Sequence, residues 1–217
     1  MSDRSAILGA IRAATRACEV PASQIASEAA TLVAEATVVQ PKFGGVSLVE
    51  RFVSKASSER VTATVSRVDT MAEVPASVAD YLNQRDQRMQ LAVQPTVKLE
   101  QLDWAGFERL DDLADDGGVA VTLAEYGIAE TGSVVFRSAA DAPVLLTFLP
   151  LIHIVVLQAS TILAYPEDLW SHLGGADAPQ SRALTLVTGT SGTADIEAIN
   201  VRGAHGPRSM HIVLVTE

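Results

Sequence analysis

Near the start of the chain apolar residues recur at helical spacing, at Ile7, Leu8 and Ile11, and again at Ile25, Ala29, Leu32, Val33 and Ala36 after Pro21. This spacing predicts two helices. A third helix is predicted over 47–58, behind the Gly44-Gly45 breaker, with Leu48, Phe52 and Val53 apolar. The period then changes. Residues 61–68, VTATVSRV, alternate so that Val61, Ala63, Val65 and Arg67 share one face of a strand. A helix over 74–85 and a strand over 89–93 follow, and this order predicts parallel pairing with helices on the sheet faces. Residues 97–114 read as helical or irregular, and the acidic, Gly-ending stretch 111–118 closes them.

Six further apolar runs, at 119–123, 133–136, 144–149, 153–158, 184–187 and 211–215, predict strands. HIVVLQ and HIVLV are apolar at nearly every position, as in strands buried on both faces. The gaps from 123 to 133 and from 149 to 153 are too short for a crossover helix, so part of the sheet is expected to be antiparallel or irregular. The expectation is an α/β fold over 60–217, a mixed central sheet flanked by helices, with a helical segment, 1–59, packed on it.

Composition narrows the classes. Of 217 residues 48% are hydrophobic, enough for a sizeable core, and only 5% are aromatic, so that core is built from aliphatic side chains. Sixteen Lys and Arg against 26 Asp and Glu leave a net charge of −10. Residues 110–217 hold 4 of the basic and 13 of the acidic side chains. Such a surface disfavours nucleic acid as a partner. The longest apolar stretch, 144–157, is broken by Thr147, Pro150 and His153 and is shorter than the roughly 20 residues of a membrane-spanning helix. Arg12 and Arg16 interrupt the first segment, so an amphipathic helix is expected there rather than a signal peptide. The expected location is the cytoplasm. Cys18 is the single cysteine, so these residues alone complete neither a disulfide nor a cysteine-ligated iron–sulfur cluster.

Three segments carry candidate chemistry. In LTLVTGTSGTADIE a strand runs into Thr188, Gly189, Thr190, Ser191, Gly192 and Thr193, then Asp195 and Glu197. Glycines there allow close backbone approach to an anion, with hydroxyls as donors; a tight turn with carboxylates at a helix start is the alternative. In YGIAETGS, Glu130 precedes a Thr131-Gly132-Ser133 turn and is placed to act as nucleophile or general base, or simply lies exposed. In VRGAHGPRSMH, Arg202, His205, Arg208 and His211 concentrate positive charge that suits a small carboxylate or an ion pair with Asp195 and Glu197. The histidine spacings match no metal motif, and His153, inside a strand, reads as a hydrogen-bonded core residue.

TGTSGTADIE followed by VRGAHGPRSMHIVLV, with AETGSVV and LPLIHIVVLQ upstream, resembles the LUD-domain family, and within it the lactate utilisation protein C branch. The resemblance spans most of 60–217. It implies a fold similar to the sugar-isomerase and coenzyme A transferase group. It also implies a subunit without its own cluster in a system that oxidises L-lactate to pyruvate, with iron–sulfur clusters only in partner proteins. Glu130, Thr131 and Gly132 match the family's ETG segment; Thr188, Gly189, Ser191, Thr193, Asp195 and Glu197 match its loop. Thr190 and Gly192 stand where the family usually has a proline and a base, so the loop lacks a cation that Arg202 or Arg208 would have to replace. The alternative is an autonomous enzyme or ligand-binding regulator acting on a coenzyme A, phosphosugar or carboxylate ligand.

Overall fold

The computed structural model describes residues 3–14, 20–34, 40–113, 117–174, 178–194 and 200–217. Cys18, Asp195 and Glu197 lie outside them. The chain divides into two compact units, Met1–Lys42 and Phe43–Glu217. The first contains α1 (Asp3–Ala14) and α2 (Ala22–Ala34), whose Ile7, Leu8, Ile11, Ile25 and Leu32 are exposed.

The second unit begins upstream of residue 60, the boundary expected from the sequence. The reason is α3 (Leu48–Ala56), which buries Phe52 and Ala56 completely in the α/β core. Ser47 starts this helix by accepting the Glu50 N–H on its Oγ at 3.2 Å, a cap that contributes about 1 kcal/mol.

The central sheet has six strands. In chain order they are β1 (Thr64–Val68), β2 (Gln90–Val93), β3 (Glu108–Leu110), β4 (Val119–Leu123), β7 (Ile152–Gln158) and β12 (Ser209–Val215). Across the sheet the order is β1-β12-β7-β4-β2-β3, and every pair is parallel. The two innermost apolar runs face both ways. Ile154, Val156, Val213 and Val215 pack with α4 (Val74–Asn83), whereas Val155, Leu157, Ile212 and Leu214 pack with Phe52 and Ala56 of α3. Near-continuous hydrophobicity is what a strand with two buried faces requires.

The antiparallel pairing expected from the short gaps is present, but in a second sheet. It is built from β5 (Tyr126–Ile128), β6 (Ser133–Arg137), β8 (Ile162–Leu163) and β9 (Leu184–Val187), in the order β8-β5-β6-β9. One of its faces joins the core through Val134 and Phe136, and the other buries Ile128 and Val135 against Leu169 and Leu173, in and just after α6 (Pro166–His172). A hairpin of β10 (Gly192–Ala194) and β11 (Asn200–Arg202) completes the strands.

One expected strand is not formed. Residues 144–149 hold a 3-10 turn, Val144–Thr147, entered from Pro143 at φ −66° and closed by Thr147 Oγ1 donating to Val144 O at 2.7 Å. With one hydroxyl and its backbone satisfied locally, the run needs no ladder, and Leu145, Phe148 and Leu149 remain exposed. Of the segment expected to be helical or irregular, the described residues 97–113 hold a single helical turn, α5 (Val97–Glu100), followed by β3.

Candidate functional site

β6 and β9 run antiparallel with Val134 opposite Val187. The residue before Val134 therefore meets the residue after Val187. This register brings the ETGS turn and the TGTSGT loop together, and the Ser133 and Thr188 hydroxyls share a hydrogen bond of 2.6 Å. Ser133 also bonds to Thr131 Oγ1 at 2.7 Å, so three of the expected ligand hydroxyls form one continuous chain.

The glycines approach backbone closely, but the backbone is the chain's own. Gly189 has φ +82°, and a Cβ there would stand 1.7 Å from the Val61 carbonyl oxygen. Gly132 has φ +73°, and its Cβ would stand 2.6 Å from the Ala56 nitrogen. Both therefore seat their loops on the end of α3 and the turn after it. Thr190 adds an N–H donated to Val61 O at 3.2 Å and a 2.6 Å hydroxyl contact with Thr62.

Farther along, Ser191 N–H donates to Pro207 O and Ser191 O accepts from Gly203 N–H, while Gly192 and Thr193 pair with Arg202 and Val201. The third candidate segment thus lies beside the loop. Its Arg202, His205 and Arg208 are exposed. His211 does not add to that positive charge. It is a member of β12, only 4% exposed, stacked on Tyr81 at 4.0 Å between centroids. Burial, with Arg85 nearby, pushes its pKa down to about 4, so it is neutral at pH 7. Thr64 Oγ1 lies 2.8 Å from its Nδ1 and Ser66 Oγ 3.0 Å from its Nε2. His153 is the core residue expected: fully buried, bonded through Nε2 to Thr122 Oγ1 at 2.7 Å, with its pKa lowered to about 3 by desolvation.

At the ETGS turn Glu130 has a carboxylate that is chemically unspent among the described residues. Its N–H is fixed by Ala164 O at 3.0 Å, but among the described residues no side chain hydrogen-bonds its carboxylate. Burial and the like charge of Glu167 raise its pKa, and Lys55 and Arg51 on α3 pull it back down. A carboxylate with raised proton affinity beside two cations can take a proton from, or attack, an anion held by those cations. Arg51 also places its guanidinium 4.9 Å over the Phe43 ring and leaves its Nε buried without a partner. Sequence reading missed Arg51 and Lys55, because nothing in the pattern shows that α3 passes under the ETGS turn. Among the described residues no three His, Cys, Asp or Glu side chains converge to hold a metal ion. Among them, too, no helix is long and apolar enough to cross a membrane.

A family model described as the LUD domain matches residues 49–215. The chain belongs to the LUD domain family. The chain is 36% identical over 105 residues to YkgG of Escherichia coli K12, covering 46% of each chain. It is 31% identical over 121 residues to lactate utilization protein C of Halalkalibacterium halodurans, covering 54% of this chain and 53% of that one. With the Bacillus subtilis protein of the same name it shares 30% over 109 residues, 48% and 45% of the two chains. The chain spans about half the length of the curated relatives it matches. Among solved structures, a DUF162 family protein from Deinococcus radiodurans superimposes with a TM-score of 0.55 at 20% identity, over 77% of this LUD chain and 96% of that one. This likeness shows the fold.

Proposed function

We propose that this LUD domain chain serves lactate utilisation, as a subunit without an iron–sulfur cluster of its own that works with iron–sulfur partner proteins oxidising L-lactate to pyruvate. The observation that carries the reading is the family match over 49–215 together with relatives named for lactate utilisation. Oxidising lactate to pyruvate releases two electrons and two protons, so an electron acceptor is required. A single cysteine supports assigning that acceptor to other chains. The exposed Leu145, Phe148, Leu149 and Leu151 supply apolar surface of the kind that partner proteins cover.

The test is lactate-dependent dye reduction in extracts that contain the candidate iron–sulfur partners and lack only this chain. Activity is expected to be lost and to return on adding the purified protein. Full activity without the chain overturns the reading.

Glu130 supports a second reading, an autonomous enzyme or ligand-binding regulator for a coenzyme A, phosphosugar or carboxylate ligand. Its carboxylate has no hydrogen-bond partner among the described residues, feels the charges of Lys55 and Arg51, and has a raised pKa. Acetyl-coenzyme A, ribose 5-phosphate and L-lactate are the compounds to screen by thermal shift on the purified chain. A saturable rise in Tm favours this reading, and its absence for all three removes it.

A further inference from the structure

The order β4-β2-β3 creates a reversal in the central sheet. From β2 the chain moves outward to β3, and from β4 it moves the opposite way to β7. The β2–β4 ladder ends just past Val93, where the Gln94 N–H still donates to Val121 O at 2.9 Å. In open parallel sheets the carboxyl ends of the strands at such a reversal are where ligands bind. A cavity of about 710 Å³ lies there, bordered by the ends of β2, β4 and β7. That size is within the ~300–1,000 Å³ of small-molecule sites.

The crevice has a built polar floor. Gln94, only 4% exposed, follows β2 directly, and its Oε1 accepts the Leu123 N–H at 2.8 Å, bridging the two strand ends. This bond fixes the amide orientation, so Nε2 is turned away from Leu123, and among the described residues no acceptor meets it. Thr96 Oγ1, also on the cavity wall, is buried without a partner. The Thr96 hydroxyl is closed to the cavity, so the donor this wall residue pair leaves for a ligand is Gln94 Nε2.

Charge selects the ligand. Arg137 is consumed by a two-pronged ion pair with Glu125. Lys98 donates to Gln158 Oε1 at 3.0 Å and among the described residues pairs with no carboxylate, so it is the wall's one available cation. Asp141 opposes a second negative charge on the ligand, and it and the ion-paired Glu125 offer acceptors for hydroxyls. No glycine-rich phosphate loop follows β2 or β4.

We propose that this crevice binds a hydroxylated monocarboxylate, its carboxylate on Lys98 and an acceptor oxygen on Gln94 Nε2. The site is separate from the Glu130 turn, and the choice of carboxylate follows from the walls, whether or not the lactate role holds.

The test is an NMR titration of the purified full chain with D-gluconate, L-lactate and inorganic phosphate, reading the Leu123 amide that Gln94 holds. A saturable shift with either carboxylate is expected, weakened at least tenfold by Lys98→Met and by Gln94→Glu, with no competition from phosphate. Gln94→Glu keeps the acceptor for Leu123 while removing the donor, and Lys98 is an exposed residue whose replacement leaves the core untouched. No saturable shift, binding unaltered by Lys98→Met, or phosphate binding as tightly as the carboxylates overturns the proposal. Failure here with dye reduction still dependent on the chain leaves the lactate role standing without this site.

Discussion

Ser133 and Thr188, 55 residues apart, share a 2.6 Å hydroxyl hydrogen bond at the junction of β6 and β9. Through it, two segments that read independently as ligand loops become one structural unit. Their hydroxyls are spent on each other, and their glycines on Val61 and Ala56. The chemically open group left at the turn is the Glu130 carboxylate.

This coupling is measurable. Ser133→Ala and Thr188→Val each remove one partner and should cost about 1 kcal/mol in urea unfolding. Ser133 is buried, so part of each cost is the orphaned partner. The double variant should therefore lose less than the sum of the singles, by roughly 0.5 kcal/mol or more.

The glycines separate packing from conformational preference. Gly189→Ala brings a Cβ against Val61 O in addition to a disfavoured φ, and should cost roughly 2–4 kcal/mol. Gly45→Ala shares the positive φ but meets nothing within 4 Å, so about 1 kcal/mol is expected. Comparing the two midpoints isolates the price of the Val61 contact.

Much of this architecture was legible in the pattern. VAVTL and LTLV mark β4 and β9 to the residue, because their flanking loops are polar and glycine-rich. The third helix, β2 and the doubly buried β7 and β12 were readable to within two residues at either end. What periodicity could not supply is strand order. Nothing local in SVVF shows that it leaves the parallel sheet, and VLLTFL carries strand composition while Pro143 and Thr147 close it into a turn. The same limit hid Gln94 and Lys98, ordinary polar residues until β2 is set beside β4, and misplaced His211, grouped with Arg202 and Arg208 by sequence proximity although it belongs to a core strand.

Glu130→Gln should separate a chemical role from a structural one. Its raised pKa means the native state binds the proton more tightly than the unfolded chain, so ionisation at pH 7 works against folding. Neutralisation should raise Tm slightly at pH 7, and the gain should vanish below about pH 4.5, where the carboxyl is already protonated. Loss of reconstituted dye reduction by tenfold or more in this more stable variant would assign Glu130 to chemistry or ligand contact. Unchanged activity would remove that role.

The two buried histidines set the acid limit of the fold. His153 and His211 have pKa values lowered to about 3 and about 4 from an ordinary 6.5, so in the native state both stay neutral while the unfolded chain takes up protons. Their contribution is fully present above pH 6.5 and is lost as pH falls toward the native values. Well below pH 6.5, but above 4, each group costs about 1.4 kcal/mol per pH unit, roughly 3 kcal/mol per unit for the pair. Unfolding free energy measured between pH 7 and 5 should therefore fall steeply, before most carboxylates titrate. His211→Asn removes one of the two titrations and should about halve the slope whatever it does to absolute stability. A slope unchanged by that substitution would mean that His211 is protonated in the folded protein, against its seat between Thr64, Ser66 and the Tyr81 ring.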